Sequence, residues 1–561
     1  MARRVSIGHQ DFEDVIRNDY FYVDKTFFIK EWWENGDVAT LITRPRRFGK
    51  TLTMSMVEKF FSVKYAGRGD LFEGLSIWQD GKYRALQGTW PVISFSFANI
   101  KEETFGKTKE KICQLLTAEY QRNAFLLESG CLTEVEKDFF NRKTSDMGDM
   151  DATLALNQLS EYLSRYYGKK VIILLDEYDT PMQEAYVHGY WKELVGFFRN
   201  MFNATFKTNP YLERAILTGI TRISKESIFS DLNNLEVITT TSCKYETVLG
   251  FTQDEVDYAL EEFGLSEKKE EVREWYDGFT FGNRQDIYNP WSILNYLDKR
   301  EFFTYWANTS SNSLVGKLIR EGSPQVKIIM EDLLAGKVLH TQLDEQIVFD
   351  QLDYRESAIW SLFLASGYLK IRKYTIDVRR GREEYDLVLT NKEVQIMFER
   401  MIGDWFTQYS PSYNEFIKAL LQDDRKAMNV YMNRVALATF SFFDTGKRPS
   451  EAAEPERFYH GFVLGLIVEL ADRYVITSNR ESGFGRYDVL LEPLSKQDDG
   501  MILEFKVYDP EEEKTLQDTV RAAHEQIEKR QYDAVLVSKG VEPERIRKYG
   551  FAFEGKTVLI G

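Results

Sequence analysis

Two carboxylates and a lysine near the C-terminal end of the sequence have the spacing of a metal-dependent hydrolytic site. Asp488 lies in the strand-like run of residues 486–491, and Glu504 and Lys506 lie in a second such run, residues 501–507. Alternate residues of a strand face the same side, so Glu504 and Lys506 project together. A polar stretch joins the two runs as a hairpin would, which brings Asp488 beside Glu504. Two carboxylates suit Mg²⁺ or Mn²⁺ and the lysine can orient a water molecule, so the pattern predicts phosphodiester hydrolysis.

A second group of residues, near the N-terminal end, has the pattern of a phosphate-binding loop. Gly49, Lys50 and Thr51 follow the apolar run of residues 38–42 and open a helical pattern. Backbone N–H groups at such a helix start favour an anion. We expect Lys50 to reach the terminal phosphates of a nucleotide and Thr51 to bind Mg²⁺. The loop departs from the common glycine-rich pattern at one point, because Arg44 stands where the first glycine is expected.

An acidic strand end supports the nucleotide interpretation. The apolar residues 171–175 lead directly to Asp176 and Glu177. In a P-loop ATPase an aspartate at this place holds Mg²⁺, and we expect the glutamate to polarise the attacking water. Arg222 follows another apolar strand and is a candidate for stabilising charge on the γ-phosphate. Residues 391–394 lack the final aspartate that guanine recognition requires, so ATP is the expected nucleotide.

The elements around these residues predict an α/β protein of several domains. Its 561 residues exceed what one core usually holds. Apolar strands alternate with helical patterns over residues 1–300, which predicts a P-loop ATPase domain with a parallel sheet. Residues 301–450 predict a helical connecting region that contains a winged-helix-like module, either a DNA reader or a protein contact and lid. Residues 451–561 predict an α/β domain, in the order helix (residues 458–471), three strands, helix and a strand at 534–538.

Composition narrows the classes of protein. The net charge of −16 does not indicate a broad basic surface for nucleic acid, so any contact with nucleic acid must be local or must depend on bound metal. Three scattered cysteines give neither a disulfide framework nor zinc-type spacing. No stretch approaches the roughly 18 apolar residues of a membrane helix, and no secretory leader is evident. We therefore expect a cytoplasmic protein without membrane contact.

On these motifs, residues 1–300 resemble the AAA-ATPase-like domain of a large family of bacterial proteins. The matching stretches are residues 22–26, 44–51, 175–179, 219–224, 275–279 and 288–292. The resemblance implies that the loop with Arg44 is the usual form in that family, and that Asp24 and Lys25 lie near the base or ribose. It also implies that residues 275–291 belong to a helical subdomain that closes over the nucleotide, as in signal-transducing ATPases that switch with nucleotide state.

The C-terminal domain resembles the PD-(D/E)XK nuclease superfamily, which implies an α/β fold like that of restriction endonucleases. Asp488, Glu504 and Lys506 match its core motif, and Tyr487 stands where the eponymous proline would be. The resemblance implies that Gln526, on the following helix, helps to position the metal site and substrate. It also points to further candidates: Tyr532 beside Gln526, Glu469 as a helical carboxylate, and Arg480 and Arg486 as contacts to backbone phosphates.

Together these patterns predict an ATP-binding and ATP-hydrolysing switch fused to a Mg²⁺- or Mn²⁺-dependent nuclease. A role in defence against foreign nucleic acid rests on the resemblance alone. The alternative is a regulatory or signalling ATPase whose C-terminal fold binds nucleic acid or protein without cutting. Nucleic acid is the expected partner of the C-terminal domain. Homo-oligomer formation and the type of nucleic-acid strand stay open.

Overall fold

The structure is a computed structural model of the chain. It describes residues 3–221, 229, 232–307, 309, 313–321, 323–343, 356–377, 382–407, 413–439, 463–464, 466–467, 470, 473–478, 481–482, 485–486, 488–495, 497–510 and 512–561. Among these residues, none of the helices combines the length and the hydropathy that crossing a bilayer demands.

The chain divides into two compact units. The first contains Met1–Leu314 and Val338–Gln395, and the second contains Val315–Lys337 and Ile396–Gly561. The expected phosphate-binding loop therefore lies in the first unit and the expected nuclease residues lie in the second.

Helices occur throughout the described chain. They are α1 (Phe12–Arg17), α2 (Phe27–Asn35), α3 (Lys50–Phe61), α4 (Gly81–Arg84), α5 (Phe105–Arg122), α6 (Glu134–Asn141), α7 (Asp149–Tyr167), α8 (Thr180–His188), α9 (Trp191–Phe202), α10 (Gln253–Glu262), α11 (Lys269–Tyr276), α12 (Pro290–Lys299), α13 (Ser313–Glu321), α14 (Pro324–Leu334), α15 (Glu356–Ala365), α16 (Lys392–Thr407), α17 (Tyr413–Leu421), α18 (Arg425–Thr439), α19 (Leu516–Arg530) and α20 (Ala534–Ser538).

Strands form sheets in both units. They are β1 (Ala39–Thr43), β2 (Val92–Ser96), β3 (Val171–Asp176), β4 (Leu212–Gly219), β5 (Leu235–Ile238), β6 (Phe251–Thr252), β7 (Phe279–Phe281), β8 (Arg284–Tyr288), β9 (Leu339–Thr341), β10 (Leu369–Asp377), β11 (Arg382–Leu389), β12 (Tyr474–Ser478), β13 (Glu481–Ser482), β14 (Gly485–Arg486), β15 (Val489–Pro493), β16 (Gly500–Val507), β17 (Ile546–Glu554) and β18 (Thr557–Ile560).

The main sheet of the first unit is parallel, in the order β2-β3-β4-β1-β5. Every residue of β1 and of β3 is buried, as expected for strands covered by helices on both faces. Parallel strands end at one common edge, so Thr43, Asp176 and Gly219 close β1, β3 and β4 on the same side. This carboxyl edge is where open α/β sheets bind ligands. The expected parallel α/β fold is confirmed.

Two smaller sheets complete the first unit. One has the order β6-β8-β7 and the other has the order β10-β11-β9. β10 and β11 lie between α15 and α16 in sequence, as the winged-helix-like pattern predicts, whereas β9 precedes α15. The antiparallel pairing of β10 with β11 forms its long hairpin.

The sheet of the second unit is mixed, in the order β12-β15-β16-β17-β18. β15 and β16 pair antiparallel, as the expected hairpin requires, whereas β16 and β17 pair parallel. α19 follows β16 in the chain and packs on β17, which a crossover between parallel strands needs. Most of the expected helix at residues 458–471, with Glu469, lies outside the described residues.

The strand expected at residues 534–538 is wrong, because this stretch is the helix α20. Five apolar residues fit a buried strand or one helical turn equally well, and periodicity does not separate them. Leu536 is fully buried against Leu490 and Ile502, whereas Val537 is 43% exposed. The strand that pairs with β16 begins later, at Ile546.

Candidate functional site

The loop between β1 and α3 has the backbone conformation of an anion-binding turn. Arg47 and Gly49 have φ angles of 65° and 87°, and α3 begins at Lys50. Left-handed residues alternating with right-handed ones direct successive N–H groups towards one point, and the start of α3 adds its own. A Cβ atom built on Gly49 meets nothing within 4 Å, so the backbone there borders open space. These features agree with the expected phosphate-binding loop, and phosphate binding itself stays a prediction.

Lys50 is held inside this loop. Its side chain is buried, and Nζ donates hydrogen bonds to the carbonyl oxygens of Arg44 (2.9 Å) and Pro45 (2.8 Å). Burial lowers the pKa of Lys50, against the opposing charges of Glu177 and Asp176. The ammonium thus lies where the terminal phosphates of a nucleotide enclosed by the loop would need a cation.

Thr51 and Asp176 meet at the carboxyl edge of the sheet. Thr51 Oγ1 donates a hydrogen bond of 2.6 Å to Asp176 Oδ2, and the hydroxyl of Thr218 donates to the other carboxylate oxygen. Burial raises the pKa of Asp176. A hydroxyl beside a carboxylate is the oxygen donor set that Mg²⁺ prefers in nucleotide sites, so these residues fit the ion.

Glu177 follows Asp176 in a left-handed conformation with a φ angle of 51°. Few residues other than glycine adopt this conformation, and it is common where function constrains the backbone. The hydroxyl of Thr180 donates a 3.1 Å hydrogen bond to Glu177 Oε2. The structure therefore places Glu177 next to the residues expected around the γ-phosphate.

Arg44, which stands in place of the first glycine of the common motif, contacts neighbouring segments of the protein. Its side chain is fully buried and donates through Nη1 to the carbonyl oxygens of Thr43 (2.9 Å) and Thr239 (2.6 Å). The guanidinium carbon lies 4.3 Å from the ring centroid of Phe281, and burial lowers the pKa of Arg44 to about 9. The side chain thus braces the loop by contacts with neighbouring segments.

The region of residues 275–291 contacts this loop. Phe48 packs edge-on against Phe279, with ring centroids 4.8 Å apart, and the guanidinium carbon of Arg47 lies 4.5 Å from the ring centroid of Trp291. These contacts place the region beside the expected nucleotide site. Its closure over bound nucleotide stays a prediction.

Asp179 joins the end of β3 to the loop after β4. This aspartate is 1% exposed, and its Oδ2 accepts the backbone N–H groups of Ile220 (3.0 Å) and Thr221 (2.9 Å). Burial raises the pKa of Asp179. Sequence reasoning assigned it no role, although it stands in the same acidic stretch as Asp176. Arg222, the candidate that follows this loop, lies outside the described residues.

Asp24 and Lys25 have partners within the protein. Lys25 Nζ lies 2.7 Å from Glu255 Oε1, and Asp24 accepts the backbone N–H groups of Thr26 (2.8 Å) and Ser76 (2.7 Å). These contacts tie the segment before α2 to α10 and to the loop around Ser76. A role near the base or ribose stays a prediction.

In the second unit, the pairing of β15 with β16 brings the expected metal ligands together. Val489 pairs with Leu503, so one further step in register places Asp488 opposite Glu504. Asp488 Oδ2 accepts the backbone N–H of Phe505 at 2.8 Å, which anchors the aspartate to β16. Glu504 is 1% exposed, and Lys506, two residues along the same strand, is half-buried.

Gln526 reaches this site from α19. Its Nε2 donates a hydrogen bond to Glu504 Oε1 and lies 3.4 Å from the hydroxyl of Tyr532. Burial raises the pKa of Tyr532, and the nearby charges of Glu504 and Asp488 add to this effect. Tyr532 therefore lies close enough to Asp488, Glu504 and Gln526 for each of them to affect its pKa.

A glycine allows α19 to approach the sheet at this point. Gly550 pairs with Glu504 across β16 and β17. A Cβ atom there would lie 3.0 Å from both the Val520 carbonyl oxygen and the Ala523 side chain. The absent side chain therefore lets the helix that carries Gln526 pack closely beside Glu504.

The carboxylates of Asp488 and Glu504 fit a hard divalent ion by their chemistry. Within the described parts of the chain, no group of three or more His, Cys, Asp or Glu side chains is arranged to hold a metal. Glu469, Tyr487 and Arg480 lie outside those parts, so the expected helical carboxylate is not described.

Glu393 is a buried carboxylate that sequence reasoning passed over as a possible site. It is 1% exposed, lies in the first turn of α16, and accepts hydrogen bonds from Ser292 Oγ (2.9 Å) and from the backbone N–H groups of Trp306 (2.6 Å) and Ala307 (3.3 Å). Burial raises its pKa to about 7, although these donors oppose the shift. No signal in residues 391–394 marks this burial, because all three donors come from distant segments.

We expect Glu393 to make stability fall as pH rises. Its pKa is about 7 in the folded chain, against an ordinary value of 4.5, so folding favours the protonated form. This stabilisation is complete below about pH 4.5 and is lost as pH rises through about 7. From pH 5 to pH 8, the wild type should therefore lose about 2–3 kcal/mol of unfolding free energy relative to Glu393→Gln. Urea unfolding of both proteins at the two pH values measures this difference, and parallel pH profiles would contradict it.

Comparisons with known proteins agree with this geometry. Residues 6–229 match the model of a family described as Predicted AAA-ATPase, and residues 454–561 match that of the PD-(D/E)XK nuclease superfamily. A protein of Azotobacter chroococcum mcd 1, described as "Uncharacterized protein in vnfD 5'region", is 29% identical over 323 residues, or 57% of this chain. The chain spans 56% of that relative's length. The two family matches confirm the expected resemblances.

Proposed function

Since the chain joins an AAA-ATPase-like domain to a PD-(D/E)XK nuclease superfamily domain, we propose that it is an ATP-driven switch that controls a metal-dependent nuclease. The observation that carries the proposal is the convergence of Lys50, Thr51 and Asp176 at the carboxyl edge of a parallel sheet. This arrangement is what nucleotide binding with a divalent ion requires.

In the first unit, each residue has a role that follows from its position. Lys50 neutralises charge on the terminal phosphates, and backbone N–H groups after Gly49 bind their oxygens. Thr51 and Asp176 would hold Mg²⁺, which when bound supplies charge neutralisation between the phosphates. Glu177 accepts a proton from the water that attacks the γ-phosphate. The resulting hydrolysis of ATP is the step that resets the switch.

In the second unit, the residues are suited to cutting a phosphodiester. Asp488 and Glu504 would hold Mg²⁺ or Mn²⁺, which when bound activates water and neutralises the phosphate. Lys506 orients the water and stabilises negative charge, and Gln526 fixes the orientation of Glu504 by its hydrogen bond. The substrate is nucleic acid, bound by the C-terminal domain. Defence against foreign nucleic acid is the biological role that we propose on the resemblance.

The alternative that the sequence leaves open is a C-terminal domain that binds nucleic acid or protein without cutting it, under the control of the same ATPase. Incubation of the pure protein with Mg²⁺ or Mn²⁺ and single-stranded DNA, duplex DNA or RNA separates the two candidates. Cleavage supports the nuclease, and binding without cleavage supports the alternative.

A switch also requires that its two ligands influence each other. ATP should change the affinity for nucleic acid by about 5- to 150-fold, and nucleic acid should change the affinity for ATP by the same factor. Titrations of each ligand in the presence and absence of the other measure both factors, with Glu177→Gln used to prevent turnover. If neither affinity changes and ATP leaves cleavage unaltered, the two domains are only covalently joined and the proposal of a switch is wrong.

A further inference from the structure

The phosphate-binding loop is held from outside by two hydrogen bonds to a single carbonyl group. Asn289 Nδ2 donates to the carbonyl oxygen of Arg46 at 3.2 Å, and Trp306 Nε1 donates to the same oxygen at 3.0 Å. Arg46 lies three residues before Gly49, inside the turn that we expect to enclose phosphate. The position of this carbonyl therefore depends on two residues that lie more than 240 positions away in the sequence.

Both donors belong to segments that converge on Glu393. Asn289 caps the N-terminus of α12, and Ser292 in the first turn of that helix donates to Glu393 Oε2. Trp306 donates its backbone N–H to Glu393 Oε1, and Ala307 donates to the same oxygen. One carboxylate thus connects the start of α12 with the segment that carries the Trp306 indole.

The packing around Glu393 brings the same part of the chain against the loop. Gly367 precedes β10 in a left-handed conformation, and a Cβ atom there would lie 2.9 Å from the Pro45 ring. Tyr368 lies beside Trp306, with ring centroids 5.5 Å apart. The segment before β10 therefore contacts both the phosphate-binding loop, at Pro45, and Trp306.

Burial of a carboxylate is unfavourable unless hydrogen bonds compensate it. Glu393 accepts hydrogen bonds of 2.6–3.3 Å from Ser292, Trp306 and Ala307, and none of these donor groups carries a charge. A network that uses one acceptor to fix two segments defines their geometry more sharply than apolar packing would. We infer that Glu393 is a positioning residue for the phosphate-binding loop: through Ser292 and Trp306 it fixes the two donors that hold the Arg46 carbonyl.

This inference rests on the proposed binding of ATP at Lys50. Through Trp306, two hydrogen bonds join the Arg46 carbonyl group to Glu393 in the first turn of α16.

The test compares variants that break the network at different points. Glu393→Ala removes the acceptor, and Trp306→Phe removes one donor to Arg46 while keeping an aromatic ring against Phe279. Both should weaken ATP binding in calorimetry about tenfold, or about 1.4 kcal/mol. Glu393→Gln keeps an accepting oxygen and should stay within about threefold of the wild type. The double variant Glu393→Ala/Trp306→Phe should bind ATP about tenfold more weakly than the wild type, as each single variant does, because both changes release the same carbonyl group of Arg46.

A matched control separates positioning from general stability. Glu119 is likewise buried, at 2% exposed, and its partners Arg122 and Asn123 lie at the end of its own helix. Glu119→Ala should lower the melting temperature without changing ATP affinity.

Several results would overturn the inference. If the wild type binds ATP and either Glu393→Ala or Trp306→Phe binds it as tightly, the positioning role is wrong while the proposed function stands. The same holds if Glu119→Ala weakens ATP binding equally. If the wild type binds no ATP, the proposed function fails and this inference fails with it. Should Glu393→Ala not fold, Ser292→Ala decides, because it removes a side-chain donor to Glu393; ATP affinity equal to that of the wild type would then overturn the inference.

Discussion

Replacing Asp488 with Asn, or Glu504 with Gln, should lower the rate of metal-dependent cleavage on the order of 1,000-fold. Loss of a residue that only orients a metal ligand lowers activity roughly 10- to 100-fold, and loss of the ligand itself should lower it further. Each change removes a ligating charge and nearly preserves shape. The backbone bond from Phe505 to Asp488 and the bond from Gln526 to Glu504 can both persist in these variants. Binding of nucleic acid should survive, so a gel shift without cleavage is the expected pattern.

Two further variants sharpen this experiment. Lys506→Ala should keep metal binding, measured by calorimetry with Mn²⁺, and lose cleavage rate. Asp498→Asn is the matched control, because Asp498 lies in the connection between β15 and β16 and pairs with Arg473. This control should cut like the wild type. If Asp488→Asn cuts as fast as the control, or if the wild type cuts nothing with any divalent metal, the hydrolytic function is wrong and the binding-only alternative replaces it.

Replacing Lys50 with Ala should weaken ATP binding by at least about 100-fold, because the proposed role of the buried ammonium is to donate several charge-assisted hydrogen bonds to phosphate. Glu177→Gln should instead keep ATP affinity and lose turnover, since the amide cannot accept a proton from water. Calorimetry with ATP measures the first effect, and release of inorganic phosphate measures the second.

A second lysine on the same helix provides the control for Lys50. Lys59 is also buried on α3, where Nζ lies 2.6 Å from Asp11 Oδ2. Lys59→Ala should destabilise the protein through loss of this ion pair but leave ATP affinity unchanged. Equal ATP affinity in Lys50→Ala and in the wild type would show that the loop does not bind the terminal phosphates.

Much of the fold follows from runs of apolar residues in the sequence. The apolar run of residues 171–175 predicts a buried strand, and the structure shows β3 buried at every position, with Asp176 at its carboxyl end. The sequence also predicts that Thr51 and Asp176 lie together, because the carboxyl ends of β1 and β3 lie at one edge of a parallel sheet and Thr51 opens the helix after β1. The short run at residues 534–538 fails, because its length suits two conformations and only the contact of Leu536 with its core decides between them.

The residues that support the loop could not be found in this way. Glu393 receives its hydrogen bonds from residues 86–101 positions earlier in the chain. The residues around Glu393 carry no apolar periodicity or spacing that would indicate a buried carboxylate. Its environment exists only once α12, the segment around Trp306 and the start of α16 have packed together, so local patterns contain no trace of it.

Arg44 has a consequence for how such a loop can change over evolution. Substituting glycine would restore the common sequence motif, yet the carbonyl groups of Thr43 and Thr239 would lose their donor and Phe281 would face a void. Arg44 and the residues that it contacts at Thr239 and Phe281 must therefore change together when such a loop is exchanged for a glycine-type loop. A chimaera that transplants this loop must carry the segment from Thr239 to Phe281 with it.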